Sequence, residues 1–61
     1  MKRYRYHIIV LFNEGTEKNY LYADSENEIL KMSEIREALA ENDLQDKGNF
    51  VLDGLIKTIN N

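Results

Sequence analysis

The residues best equipped for chemistry in this chain are few and scattered. His7 is its single histidine. An imidazole acting as a general base needs a nucleophile or carboxylate partner, and the sequence offers His7 no obvious one. Two groups of acids, Asp24, Glu26 and Glu28 and then Glu41, Asp43 and Asp46, carry oxygens of the kind a divalent cation takes. A calcium loop also needs carboxylates at alternating positions, a central glycine and a terminal Glu. The run Asp43-Leu44-Gln45-Asp46-Lys47-Gly48 lacks that order, so these acids read as solvated helix-start and loop residues. No cysteine is present, which rules out disulfides and thiolate zinc sites. Gly15, Gly48 and Gly54 stand alone as turn residues, and no phosphate-cradling loop or nucleophile elbow occurs. The chain is read as no enzyme, with no cofactor, no metal and no small-molecule substrate.

Binding chemistry has more to work with. Lys2, Arg3, Arg5 and His7 alternate with Tyr4 and Tyr6, and cations interleaved with aromatics can hold a phosphate backbone and stack bases. On a strand, however, successive side chains point to opposite faces. Tyr4 and Tyr6 then share one face while Arg3, Arg5 and His7 share the other, which separates a stacking platform from its cations. The rest of the chain carries a net −6, five basic against eleven acidic residues, and that field repels a polyanion. Nucleic acid is therefore a disfavoured partner. Glu34, Glu37 and Glu41 form an acidic surface that could meet a basic partner or imitate the charge of nucleic acid.

The elements that must position these groups follow from periodicity. Residues 4–12 are aromatic and β-branched without Gly or Pro and read as a strand. Asn13-Glu14-Gly15 is a turn signal, and residues 16–23 return as a second strand. A three-residue loop sets Phe12 opposite Thr16, Ile8 opposite Tyr20 and Tyr6 opposite Tyr22. A two-residue loop would set Tyr20 opposite Ile9 instead, and the first register is preferred because it stacks aromatic on β-branched residues. Ser25 and Glu28 have the spacing of a capping box. Ile29, Met32, Ile35, Ala38 and Leu39 then recur at helical intervals, which predicts a helix from Glu26 to about Asn42. A shorter helix capped by Ser33, after a strand over residues 29–32, is the variant. Residues 42–49 are a polar loop. Residues 50–59 favour extended structure, with Asp53-Gly54 as a turn signal for a final hairpin, although their apolar spacing also fits a helix.

The sum is one α+β domain over residues 1–61. It has an N-terminal antiparallel β-hairpin, one amphipathic helix packed on it, and a C-terminal strand or hairpin (ββαβ), with ββαα as the alternative. At 43% apolar and 31% charged residues the chain is composed like a globular protein. It is short enough that disulfides, metals or association usually supplement the core. With disulfides and thiolate zinc ruled out, a homodimer or a stabilising partner is expected. No signal-peptide pattern and no apolar run of membrane-spanning length occur, so a cytoplasmic protein without a membrane partner is expected.

The opening YRYHIIVLFNEGTEKNYLYA, the acidic SENEILKMSEIREALAEN and the closing GNFVLDGLIKTINN give the chain a resemblance, in style and order, to short phage- or prophage-encoded proteins of unassigned role. That resemblance implies a small accessory protein that acts by binding, such as a modulator of a host protein. It transfers no functional residue. Both faces of the first two strands hold apolar residues, Ile8, Val10 and Phe12 on one and Ile9 and Leu11 on the other, and one helix covers one face. The other must be met by residues 50–59, by a second copy or by another protein. The reading is a protein–protein interaction module, with Arg3, Arg5 and His7 on the outer sheet face and Glu34, Glu37 and Glu41 on the helix as contact residues.

Overall fold

The computed structural model of the protein describes residues 3–59. Strand β1, Tyr4–Phe12, buries every second side chain from Tyr6 to Phe12. It lies at the centre of a three-stranded sheet of order β2-β1-β3, flanked by β2, Glu17–Ser25, and β3, Val51–Ile59. Both neighbours run antiparallel to β1. A helix, α1, Met32–Glu41, crosses one face between β2 and β3. The ββαβ order of the α+β reading is the one found, and ββαα is not.

The hairpin register differs from the expected one. Phe12 pairs with Glu17, Ile9 with Tyr20 and Ile8 with Leu21. The turn takes four residues rather than three or two. Asn13, Glu14 and Gly15 all adopt positive φ, and Thr16 donates to the Asn13 carbonyl from both its amide (3.2 Å) and its hydroxyl (2.7 Å). Thr16 is thereby part of the turn. Because side chains alternate along a strand, a slip of one residue exchanges its faces. Leu21 goes into the core opposite Ile8, and Tyr20 and Tyr22 go outward. An all-carbon side chain gains more from burial than two tyrosines whose hydroxyls would each need a partner.

The helix also begins later than expected. Ser25 ends β2 opposite Tyr4, and its buried hydroxyl accepts the amide of Asn27 (2.9 Å), so no capping box with Glu28 forms. The capping carboxylate is Glu34, whose Oε1 accepts the Lys31 amide (3.1 Å) and the Asn27 side-chain amide (3.1 Å). The segment between strand and helix is held by the Tyr6 hydroxyl, which donates to the carbonyls of Asn27 (2.7 Å) and Glu28. Burial pushes that hydroxyl above the ordinary tyrosine range. Ile29 and Met32 consequently fall outside the core, and Ile35, Ala38 and Leu39 alone carry the buried stripe.

Past its last turn, α1 closes in a Schellman motif. The Leu44 amide reaches the Leu39 carbonyl (2.8 Å), that of Asp43 reaches Ala40 (3.1 Å), and Asp43 takes φ +59°. This folds Leu44 back against Leu39 in the core, which comprises Tyr6, Ile8, Val10, Phe12, Leu21, Ile35, Leu39 and Leu44. No residue of β3 belongs to it.

β3 is one strand, not a hairpin. Its register shifts against β1 between Ile9 and Val10, which face Gly54 and Leu52 with Asp53 as the extra residue. Asp53-Gly54 is thus a bulge. Residues 50–59 extend the sheet sideways rather than wrapping it, and the second face stays open.

Candidate functional site on the open face of the sheet

Three aligned ladders build the open face. Arg5, His7, Ile9 and Leu11 form its central column. Across from them on β2 stand Asp24, Tyr22, Tyr20 and Lys18, and on β3 Thr58, Ile56, Gly54 and Val51. Tyr20 and Tyr22 are 61% and 60% exposed, Ile56 and Val51 about as much, and Ile9 and Leu11 are half-buried between them.

Side chains on this face order one another. The His7 ring stacks on Tyr22, centroids 4.8 Å apart and planes 15° apart, and lies tilted against Tyr20 at 6.1 Å. The Arg5 guanidinium sits 5.6 Å from the Tyr22 centroid. It also donates to both Asp24 carboxylate oxygens (2.9 and 3.2 Å). Asp24 raises the pKa of Arg5, through that hydrogen bond and then its charge. Tyr22 is therefore held between a ring and a cation, and a side chain ordered in advance loses less freedom when a partner docks. At the opposite end Lys18 on β2 faces Asp53 on β3 (3.6 Å). The strand-borne charges of the face are Arg5 and Lys18 against Asp24 and Asp53, so it is electrically neutral. The Ile9 side chain fills the space that a side chain at Gly54 would take: a Cβ there would stand 3.2 Å from Ile9 Cδ1.

Of the residues expected to make contacts, Arg5 and His7 come together on this face. Arg3 is exposed but apart from them, its guanidinium 5.9 Å from the Tyr4 ring. Lys2 lies outside the described residues. Glu34 is half-buried and occupied in starting the helix. Glu37 and Glu41 are exposed and line, with Glu34, Asp24, Tyr22 and Ala38, a shallow acidic cleft of about 310 Å³ between α1 and β2. Among the described residues no cluster has a metal-holding arrangement, and no helix is long and apolar enough to cross a membrane. Sequence reasoning missed Tyr20, Tyr22, Ile56 and Val51 as members of one surface. The signal for the first two was available: in Asn19-Tyr20-Leu21-Tyr22-Ala23, the purely apolar Leu21 and Ala23 share one parity and the amphipathic tyrosines the other.

A second apolar surface lies on the helix side. α1 packs over β2 and sends Ile35 and Leu39 into the core with β1. Leu52, Leu55 and Ile59 of β3 stay exposed, as do Ile29 and Met32, and Met32 lines a groove with Leu52. Lys57 covers part of it, 5.2 Å from the Tyr4 ring and 3.7 Å from the Glu28 carboxylate.

No family model, curated protein or solved structure matches the chain.

Proposed function

We propose that this chain is a small protein–protein interaction module that acts by binding, without catalysis, and that the open sheet face is its docking surface. The observation that carries the reading is the face itself: an apolar and aromatic surface without a covering layer, whose charges are neutralised within the chain. Exposed apolar patches of several hundred Å² mark interaction sites, and aromatic side chains with polar tips dominate the energetic centres of such interfaces. The contact residues are then Arg5, His7, Tyr20, Tyr22 and Ile56. Glu37 and Glu41 border the same edge of the sheet and suit a basic rim on the partner. A cytoplasmic setting goes with this reading.

The test is differential capture from an extract of the source cells. Tyr22→Lys is expected to lose the proteins retained by the wild-type chain, while Glu37→Lys with Glu41→Lys weakens their retention. Equal retention by wild type and Tyr22→Lys would place the docking surface elsewhere.

One observation favours a nucleic-acid-binding accessory protein as second reading. The register found puts Tyr20 and Tyr22 on the face of Arg5 and His7, so a stacking platform and its cations are not separated as expected. The face nevertheless supplies no net positive charge, and phosphate neutralisation provides most of the affinity of such binders. Backbone amide NMR shifts of Tyr20, Tyr22 and His7 on adding single-stranded oligonucleotides at low salt would support it.

A further inference from the structure

We propose that the occupant of the open face is a second copy of this chain, which closes it into a six-stranded two-sheet sandwich. The inference rests on the reading of that face as a docking surface and names its partner.

Three properties of the face lead there. The first is its relief. β2 carries a ridge, Tyr20 and Tyr22, and β3 carries Ile56 and the side-chain-free Gly54, over which the Ile9 side chain of the same chain lies. Ile9 aligns with both Tyr20 and Gly54, and His7 with both Tyr22 and Ile56. A two-fold axis running along the strands between two stacked sheets keeps each row and exchanges the flanks. Tyr20 of one copy then stands over Gly54 of the other, and Tyr22 over Ile56 of the other. The aromatic flank of each copy thus meets the aliphatic flank of the other, and every contact occurs twice, as an isologous interface requires. The roughly 30° between aligned sheets in a sandwich keeps these pairs in reach near the axis.

Charge is the second property. Arg5 is already paired with Asp24 and Lys18 with Asp53, so two copies meet as neutral surfaces and neither leaves a buried charge without a partner. A polyanion or a strongly charged protein would find no counterpart here. Area is the third. Tyr20, Tyr22, Ile56 and Val51 with the half-buried Ile9 and Leu11 present on the order of 600 Å² per copy, so a symmetric pair removes about 1,200 Å², the lower bound for a stable specific interface. Pairing through the free edge of β3 is less suited, because a bulge at Asp53 and an edge lysine, Lys57, are the devices that blunt edge strands.

The experiment is sedimentation equilibrium of the whole chain from about 1 to 500 µM, with far-UV circular dichroism checking the fold of each variant. The wild type is expected to approach twice its 7.2 kDa chain mass. Ile56→Glu and Tyr20→Lys are expected to raise the dissociation constant at least about a hundredfold, since each buries two unpaired charges per dimer. Ile29→Glu, on the helix side, is expected to leave it unchanged. A wild type that stays at 7.2 kDa throughout, a dimer unaffected by both open-face variants, or a dimer dissolved by Ile29→Glu overturns the proposal. If an open-face variant unfolds, isotope-filtered NOEs in the wild-type dimer decide: contacts between the Tyr20 and Tyr22 rings and the Ile56 methyls of the other copy support it, and intermolecular contacts confined to the helix side overturn it. A monomer whose Tyr22→Lys variant still loses captured proteins refutes self-association and leaves the binding reading standing. Loss of neither function refutes both.

Discussion

Replacing Leu21 and Tyr22 by alanine, one at a time, tests the register on which the open face depends. Leu21 is 3% exposed and lies opposite the fully buried Ile8. Truncating a buried leucine costs about 2–5 kcal/mol, the value depending on how far the site collapses. β2 is an outer strand and can relax inward, which places L21A near 3 kcal/mol. Tyr22 is mostly exposed, and its removal forfeits the stack on His7 and the contact with Arg5, about 1 kcal/mol in a free monomer. A domain of this length holds roughly 3–9 kcal/mol in total. L21A should therefore bring the chain close to unfolding and lower its melting temperature by about 12–24 °C, and Y22A should lower it by about 4–8 °C. The assay is thermal unfolding followed by circular dichroism at about 1 µM, the dilute end of the range over which association is followed. In the register with Tyr22 opposite Tyr6, the order reverses, because Tyr22 is then in the core and Leu21 outside. A larger loss for Y22A than for L21A would refute the register and the site built on it.

Two further outcomes follow from the turns and the loop contacts. Asp43 occupies the left-handed position of the Schellman motif at φ +59°, where a side chain is strained and glycine is not; D43G should raise stability by about 0.5–1 kcal/mol, read as a higher urea midpoint. Glu17 is held below the usual carboxylate range, first by its hydrogen bond from Lys47 and then by Asn19. A folded pKa below the unfolded one contributes stability at pH values above the unfolded pKa and loses it as pH falls through the folded one. The wild type should thus exceed E17Q in stability at pH 6, with the gap closing on acidification below the ordinary glutamate range. A gap that is constant across pH 3–6 would contradict this.

The strands and the buried stripe of the helix were legible because they rest on periodicity. Tyr6, Ile8, Val10 and Phe12 alternate, and Ile35, Ala38 and Leu39 recur on one helical face; these patterns mark the core without knowledge of neighbours. What stayed illegible depends on how a few polar groups are satisfied. Ser25 can cap a helix or end a strand, and the pairing of Tyr4 with Ser25 decides for the strand. Lys31, a residue with no capping side chain, starts the helix because the Glu34 carboxylate accepts its amide and is itself held by the Asn27 side-chain amide. The turn at 13–16 was misjudged by one residue because Glu14 adopts φ +57°, a conformation its side chain disfavours and no local pattern announces. That single residue moved both tyrosines to the other face. Asp53-Gly54 has the composition of a hairpin turn, and it serves as a bulge because β3 continues along β1 on either side of it.

The open face is a consequence of the geometry of so short a chain. Three strands of nine residues make a slab about 30 Å long and about 14 Å wide, with two faces to cover. One helix of ten residues is about 15 Å long and about 10 Å across, enough for part of one face. The helix takes the side where Phe12, Ile8 and Leu21 offer the most area, and the chain has no second α-helix among the described residues for the other. In a closed monomer, selection for solubility would make that other face polar. Here Ile9, Leu11, Tyr20, Tyr22, Val51 and Ile56 populate it instead, with its four charges neutralising each other. A face composed like an interior layer, on a domain too small to cover it, is what the proposed self-association would cover, because a second copy brings a surface of equal size and no net charge.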